Sequence, residues 1–198
     1  MRLRTALVPA LLLSAACSRP IVVRPPADRA ERSAQMLDAV TRLGGPGDWL
    51  VIRGYHATDD LVSAVTDAPF SHAAVLDPER GQVVEAEGKG LHTTPLADFT
   101  RKAQRLMLVR PMWASDAAAR QAAVEKARSL VGSKYDFAGL VGLNAPDRYY
   151  CSELAVAVYG TKVDRRRDHI PPVIPPDQLP YWGTVLWDSG AVPPEVRP

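Results

Sequence analysis

Tyr149-Tyr150-Cys151-Ser152-Glu153-Leu154 sets a thiol at the first turn of an apolar stretch that the sequence predicts to be a helix from Cys151 to Tyr159. A helix N-terminus offers unpaired backbone N–H groups and a partial positive charge, and both favour thiolate over thiol. The sulfur would therefore be primed as a nucleophile. The plainer fate of a free cysteine is to be a small buried hydrophobe. Partners elsewhere in the chain decide between the two.

A thiolate enzyme needs a base that takes and returns the proton, and a third group that fixes the imidazole tautomer. His72 is the best candidate base. It lies in Phe70-Ser71-His72-Ala73-Ala74-Val75-Leu76, ahead of a short apolar run with the pattern of a buried strand. Asp77-Pro78-Glu79-Arg80-Gly81 has turn chemistry, and Gln82 to Glu87 forms the returning strand. Such a hairpin brings His72 beside Glu85 or Glu87. Pairing Val75 with Gln82 sets His72 opposite Glu85, pairing Asp77 with Gln82 sets it opposite Glu87, and pairing Leu76 with Gln82 turns both glutamates away. Turn chemistry alone leaves the three registers open, and a solvated strand face also accounts for two glutamates.

At this point the residues resemble the circularly permuted papain-like cysteine hydrolases typified by YiiX, within the NlpC-like superfamily. The resemblance runs through Gly47-Asp48-Trp49-Leu50-Val51, Ser71-His72, Val84-Glu85-Ala86, Gly132-Ser133-Lys134-Tyr135-Asp136 and Tyr150-Cys151-Ser152-Glu153-Leu154, in that order, across roughly Gly45 to Gly160. In papain the cysteine precedes the histidine; here His72 comes first and Cys151 last, as the permuted branch implies. The resemblance makes Cys151 the nucleophile, His72 the base and acid, and Glu85, which precedes Ala86 as in the family's Glu-Ala pair, the residue that orients the imidazole. It also implies that Tyr135 helps to position substrate or to stabilise an oxyanion. Ordinary packing accounts for such an aromatic equally well.

The opening residues point to a compartment. Arg2 and Arg4 form a positive start, Ala6 to Leu13 an apolar stretch broken only by Pro9, and Ser14-Ala15-Ala16-Cys17 a small-residue ending. This is the pattern of a secretory signal, too short to span a bilayer as a mature helix. Its ending resembles a bacterial lipobox, with Ser14 standing where an aliphatic residue is usual, and implies that Cys17 is lipidated; an ordinary cleaved signal is the alternative. The expected location is the bacterial cell envelope, membrane-anchored through that lipid and facing the periplasm where an outer membrane exists. Cys17 and Cys151 are the only cysteines. With Cys17 lipidated, the mature chain holds one thiol and no internal disulfide, and a lone thiol in an oxidising envelope is a liability unless it has a task.

The 198 residues, 46% hydrophobic with a net charge of +2, suit one modest domain and carry no nucleic-acid motif. The expected division is a signal over 1–17, a linker and N-terminal helix over 18–44, a hydrolase domain over 45–192 and a tail over 193–198. Ala30, Ala34, Leu37 and Val40 predict a helix from Asp28 to Leu43; Trp49 to Arg53 and Gln104 to Val109 predict strands. Asp59-Asp60 can begin a short helix toward Val65, and Ser115 can cap an alanine-rich helix to Val131. After Pro171-Pro172 and Pro175-Pro176 comes a wrap and a strand near Thr184 to Trp187. Trp182 and Trp187 either line a groove or cover the core. The expected fold class is α+β, a permuted papain-like fold with a small antiparallel sheet packed against helices.

His56, His72, His92 and His169 show no metal-binding spacing, and His56 with Asp59 and Asp60 fits a polar loop, so no metal and no cofactor are expected. The expected function is an envelope-anchored, monomeric cysteine hydrolase working through a thioester. The family resemblance implies peptide-like amides, including cell-wall peptides, or lipid acyl groups as substrates. An acyltransferase or thioesterase acting on lipid is the alternative enzyme. A catalytically silent binding lipoprotein is the alternative of another class, and a Cys151 sulfur far from His72 would favour it.

Overall fold

The computed structural model describes residues 28–55, 69–143 and 145–190. Cys17, the short helix expected from Asp59 and the group His56, Asp59 and Asp60 lie outside the described residues.

Helix α1 (Arg29–Leu43) leads into strand β1 (Trp49–Gly54). Strands β2 (His72–Asp77), β3 (Gln82–Glu87) and β4 (Gly90–Pro95) follow, then α2 (Leu96–Arg101), β5 (Ala103–Pro111) and α3 (Ala117–Ser129). A two-residue parallel pair, β6 (Lys134–Tyr135) and β7 (Arg148–Tyr149), precedes α4 (Cys151–Ala157), and β8 (Gly183–Asp188) ends the order. Six strands form one antiparallel sheet in the order β4-β3-β2-β1-β5-β8. The α+β expectation with an antiparallel sheet against helices is met.

Strand alternation divides the core in two. Leu50, Ile52, Ala74, Leu76, Val83, Leu106 and Leu108 pack with Met36 and Val40 of α1 and Phe99 of α2. Trp49, Val51, Ala73, Val75, Val84 and Ala86 pack with Ala123 and Ala127 of α3 and Leu154 and Ala155 of α4. Two carboxylates buried beneath these layers are held by arginine forks: Asp48 by Arg110 at 2.8 and 3.1 Å, and Asp77 by Arg128 at 2.6 and 2.9 Å. Each fork supplies planar, bidentate neutralisation of a charge that burial would otherwise penalise.

Several local expectations change. Asp116, not Ser115, caps α3: its carboxylate accepts from the Ala119 N–H at 2.7 Å, while the Ser115 hydroxyl donates to that same carboxylate side chain. The predicted helix ends earlier, at Ser129. Helix α4 stops at Ala157 rather than Tyr159. The proline-rich wrap includes a 3-10 segment, Pro176–Trp182, and Trp182 is buried with its indole N–H donating to the Asp168 carbonyl at 2.7 Å. Trp187 packs against the α1 side of the core, so both tryptophans cover core.

Candidate active site

Helix α4 is locked at both ends. The Trp49 indole N–H donates to the Ala155 carbonyl at 2.8 Å, and the Tyr159 hydroxyl donates to the Gly47 carbonyl at 2.9 Å. At its start, the Tyr150 hydroxyl accepts from the Ile174 N–H at 2.9 Å and the Ser152 hydroxyl donates to the Ile174 carbonyl. Tyr150 is the N-cap residue and Cys151 the first helical residue. The thiol therefore stands at the positive end of a helix whose position is set by four buried hydrogen bonds.

Cys151 is buried and unpaired to any other cysteine among the described residues. Its thiol hydrogen-bonds His72, and the backbone of Ala73 also bonds the sulfur. Burial alone would raise the thiol pKa; the bond to His72 and the imidazolium charge outweigh it and hold the thiol below its ordinary 9.0. Burial alone would likewise depress His72, but hydrogen bonds to Cys151 and Glu85 and their charges carry it up to about 10. Both shifts favour the thiolate–imidazolium pair over the neutral thiol and imidazole.

His72 Nε2 bonds Glu85 Oε2 at 2.7 Å, which leaves Nδ1 for the thiol. The strand register is Asp77 with Gln82, which places Glu85 opposite Ala74. Glu85 reaches His72 diagonally, so the register expected to favour Glu87 delivers Glu85 instead. Glu85 is fully buried; burial opposes its charge, yet bonds from His72 and Lys102 hold its carboxyl well below the ordinary range.

Three residues that the sequence did not single out complete this cluster. Lys102 donates to Glu85 at 2.7 and 2.8 Å and to Glu87 at 2.7 Å. The Thr94 hydroxyl donates to Glu85 Oε1 at 2.5 Å. His92 donates from Nδ1 to the Gly90 carbonyl at 3.0 Å, with Nε2 3.5 Å from Glu85 and 3.4 Å from Glu87. The available signal was indirect: two glutamates on one face of a strand core require a nearby cation.

His72, Glu85 and Glu87 each offer one atom for a metal, all within 4.8 Å of one another. The Lys102 ammonium already stands 2.7 Å from a carboxylate oxygen of each glutamate, and His72 is held protonated. A ligating imidazole must be neutral. A divalent ion would have to displace Lys102 and strip the proton from His72, so the cluster as arranged does not fit a metal.

Tyr135 adjoins β7, its Cα paired with that of Tyr149, and its ring lies 4.7 Å from the ring of Phe137. Burial, then the nearby Cys151 charge, raises its phenol pKa, so it remains an O–H donor at neutral pH.

A solved structure, titled metalloprotein YiiX from Escherichia coli O157:H7, is similar at 23% identity and a TM-score of 0.49, covering 60% of this chain and 66% of that one. No curated protein matches. Residues 47–173 match the family described as permuted papain-like amidase enzyme, YaeF/YiiX, C92. That match spans well over half of the chain and includes His72, Glu85, Tyr135 and Cys151, and the protein belongs to this permuted papain-like family.

Proposed function

We propose that this protein is an envelope-anchored cysteine amidase that cleaves an amide or ester through a thioester. The observation that carries the reading is the chain of contacts Cys151–His72–Glu85, with the thiol pKa lowered and the imidazole pKa raised. The Cys151 thiolate attacks the substrate carbonyl carbon, forming a C–S bond and an oxyanion. The Cys151 N–H at the helix start faces that oxyanion, and the Tyr135 hydroxyl is the second donor. The His72 imidazolium gives its proton to the departing amine or alkoxide as the C–N or C–O bond breaks. Neutral His72 then takes a proton from water, the hydroxide attacks the thioester, and the thiolate leaves. Glu85 keeps the imidazole oriented and supports its charge.

The signal pattern ending at Cys17 supports an N-terminal lipid anchor, and the family's description as amidases supports an amide substrate. The test is covalent labelling by an electrophilic acyl probe, followed by mass mapping and a screen of muropeptides and acylated lipids. Labelling on Cys151 that disappears in His72→Ala is expected. Equal labelling in both chains would remove the dyad and with it the hydrolase reading.

A further inference from the structure

Between Tyr135 and Tyr149 the chain carries a compact apolar lobe on the lip of the site. Phe137, Leu140, Val141 and Leu143 are 64, 47, 74 and 70% exposed, and residues 137–146 contain no charge. Four large apolar side chains turned outward within seven residues mark a surface that something covers.

The lobe is a built structure. Buried Asp136 accepts from the Gly139 N–H at 2.9 Å and the Ala145 N–H at 3.0 Å, tying its two ends together. A Cβ at Gly139 would come within 2.7 Å of the Asp136 carboxylate and 3.0 Å of the Tyr150 ring, so only glycine lets this turn close. The N–H groups of Val141 and Leu143 donate to the Ala138 carbonyl and that of Gly142 to the Gly139 carbonyl, at 3.0 to 3.1 Å. These internal bonds lower the cost of carrying the turn toward hydrocarbon, where lipid cannot supply hydrogen bonds.

Charge at the base points the same way. Lys134 and Arg148 are paired across β6 and β7, both exposed, with no ion-pair partner among the described residues. Lys89 is also exposed, on the β3–β4 turn, with its ammonium 3.8 Å from the Glu87 carboxylate, and a Cβ on neighbouring Gly88 would lie 3.8 Å from Phe137. Asp147 is the single exposed acid between Lys134 and Arg148. An apolar tip with Lys134 and Arg148 at its base suits an anionic lipid surface. The expected anchor at Cys17 lies eleven residues before Asp28, a tether of at most about 35–40 Å.

We propose that this lobe docks on an anionic phospholipid bilayer, through Phe137, Leu140, Val141 and Leu143 with Lys134 and Arg148 at the headgroups, and so holds the Cys151 site at the membrane for acyl-bearing substrates. The substrate part rests on the hydrolase reading above; the docking part stands without it. Tyr135, in ring contact with Phe137 and within the field of Cys151, joins lobe to site.

The test uses the full chain, processed by a bacterial host, in vesicles of phosphatidylglycerol and phosphatidylethanolamine with brominated acyl chains. Tryptophan is added at Val141→Trp or, as control, at exposed Val185→Trp on β8, the sheet edge opposite β4. The added Val141→Trp emission should fall by about two-fold or more and the Val185→Trp emission should hold, because only a side chain inside the acyl region meets the bromine. Lys134→Glu with Arg148→Glu should weaken the quenching and leave melting unchanged. Unquenched Val141→Trp, whether buried by other parts of the chain, a second copy or a protein, overturns the docking. Cys151 alkylation in the same vesicles reports separately on the dyad: His72-independent labelling with quenching intact sinks the hydrolase reading and spares the docking.

Discussion

His72 Nε2 lies 2.7 Å from Glu85 Oε2 although the residue opposite Glu85 in the β2–β3 ladder is Ala74. Diagonal neighbours on one face of an antiparallel pair are about 7–8 Å apart at the backbone, within reach of a glutamate and an imidazole extended toward each other. Glu87, two residues on and on the same face, is 37% exposed in its side chain and is bonded by Lys102. Burial separates the two acids: Glu85 is the carboxylate that can hold the imidazole ring.

Glu85→Gln should therefore preserve the fold and lower hydrolysis by ~10²-fold or more, chiefly in kcat, because the amide cannot support the imidazolium charge. Glu87→Gln should stay within about five-fold of the parent, since its half-exposed ion pair with Lys102 is worth at most about 1 kcal/mol. Kinetics on any substrate found in the screen, with melting curves, separate the two. Collapse in Glu87→Gln with Glu85→Gln fully active would assign the third position to Glu87.

The pH dependence has a definite sign. Alkylation of Cys151 should climb through a midpoint below the ordinary 9.0, and hydrolysis should fall at the alkaline end as His72 loses its proton near 10. In His72→Ala the alkylation midpoint should move upward, since burial then acts on the thiol without the imidazolium. For stability the two shifts oppose each other. The raised His72 contributes fully below 6.5 and loses its contribution as pH rises through about 10; the lowered thiol contributes above 9.0 and loses its contribution as pH falls through its folded value. Iodoacetamide rates and melting temperatures from pH 5 to 10 check this, and an unchanged alkylation midpoint in His72→Ala would refute the pair.

The parts of this design that were legible are local ones. A thiol before an apolar run announces the α4 start, and a turn of Asp77 to Gly81 between two apolar strands announces the hairpin. Register was not legible, because three pairings satisfy the same turn and the choice depends on contacts beyond it. His92 and Thr94 come from β4 and Lys102 from the end of α2, both after the hairpin, and the sequence alone does not set the pairing that brings them to Glu85. Strand β4 escaped notice because His92-Thr93-Thr94-Pro95 on a sheet edge lacks a buried alternation. Ser115 and Asp116 are adjacent cap residues of similar propensity, and only geometry chooses between them.

The anchor has its own test. Cys17→Ala should move the protein from the membrane to the soluble envelope fraction, because the acyl chains expected on Cys17 supply most of the membrane affinity. The docking lobe alone should leave a residual, salt-sensitive association with anionic vesicles. Identical fractionation of parent and variant would leave an ordinary signal peptide as the reading of residues 1–17.

Lys102 offers the sharpest prediction about metals. Its ammonium occupies the position between Glu85 and Glu87 that a divalent ion would take with His72. Lys102→Met keeps the length of the side chain and removes the charge, leaving Glu85 supported by His72 and Thr94. The loss of one partner from this largely buried pair should cost about 3 kcal/mol of stability. The same change should open the cluster to Zn²⁺, since two carboxylates and an imidazole then lack their internal cation. Titration is best done on a Cys151→Ala background, so that zinc bound to the thiolate does not mask the result. Calorimetry should find Zn²⁺ bound at least about ten-fold more tightly by Lys102→Met than by the parent, with the melting temperature recovering as zinc is added. Equally tight binding by the parent would mean that the ammonium yields its place readily and that the cluster accepts a metal as it stands.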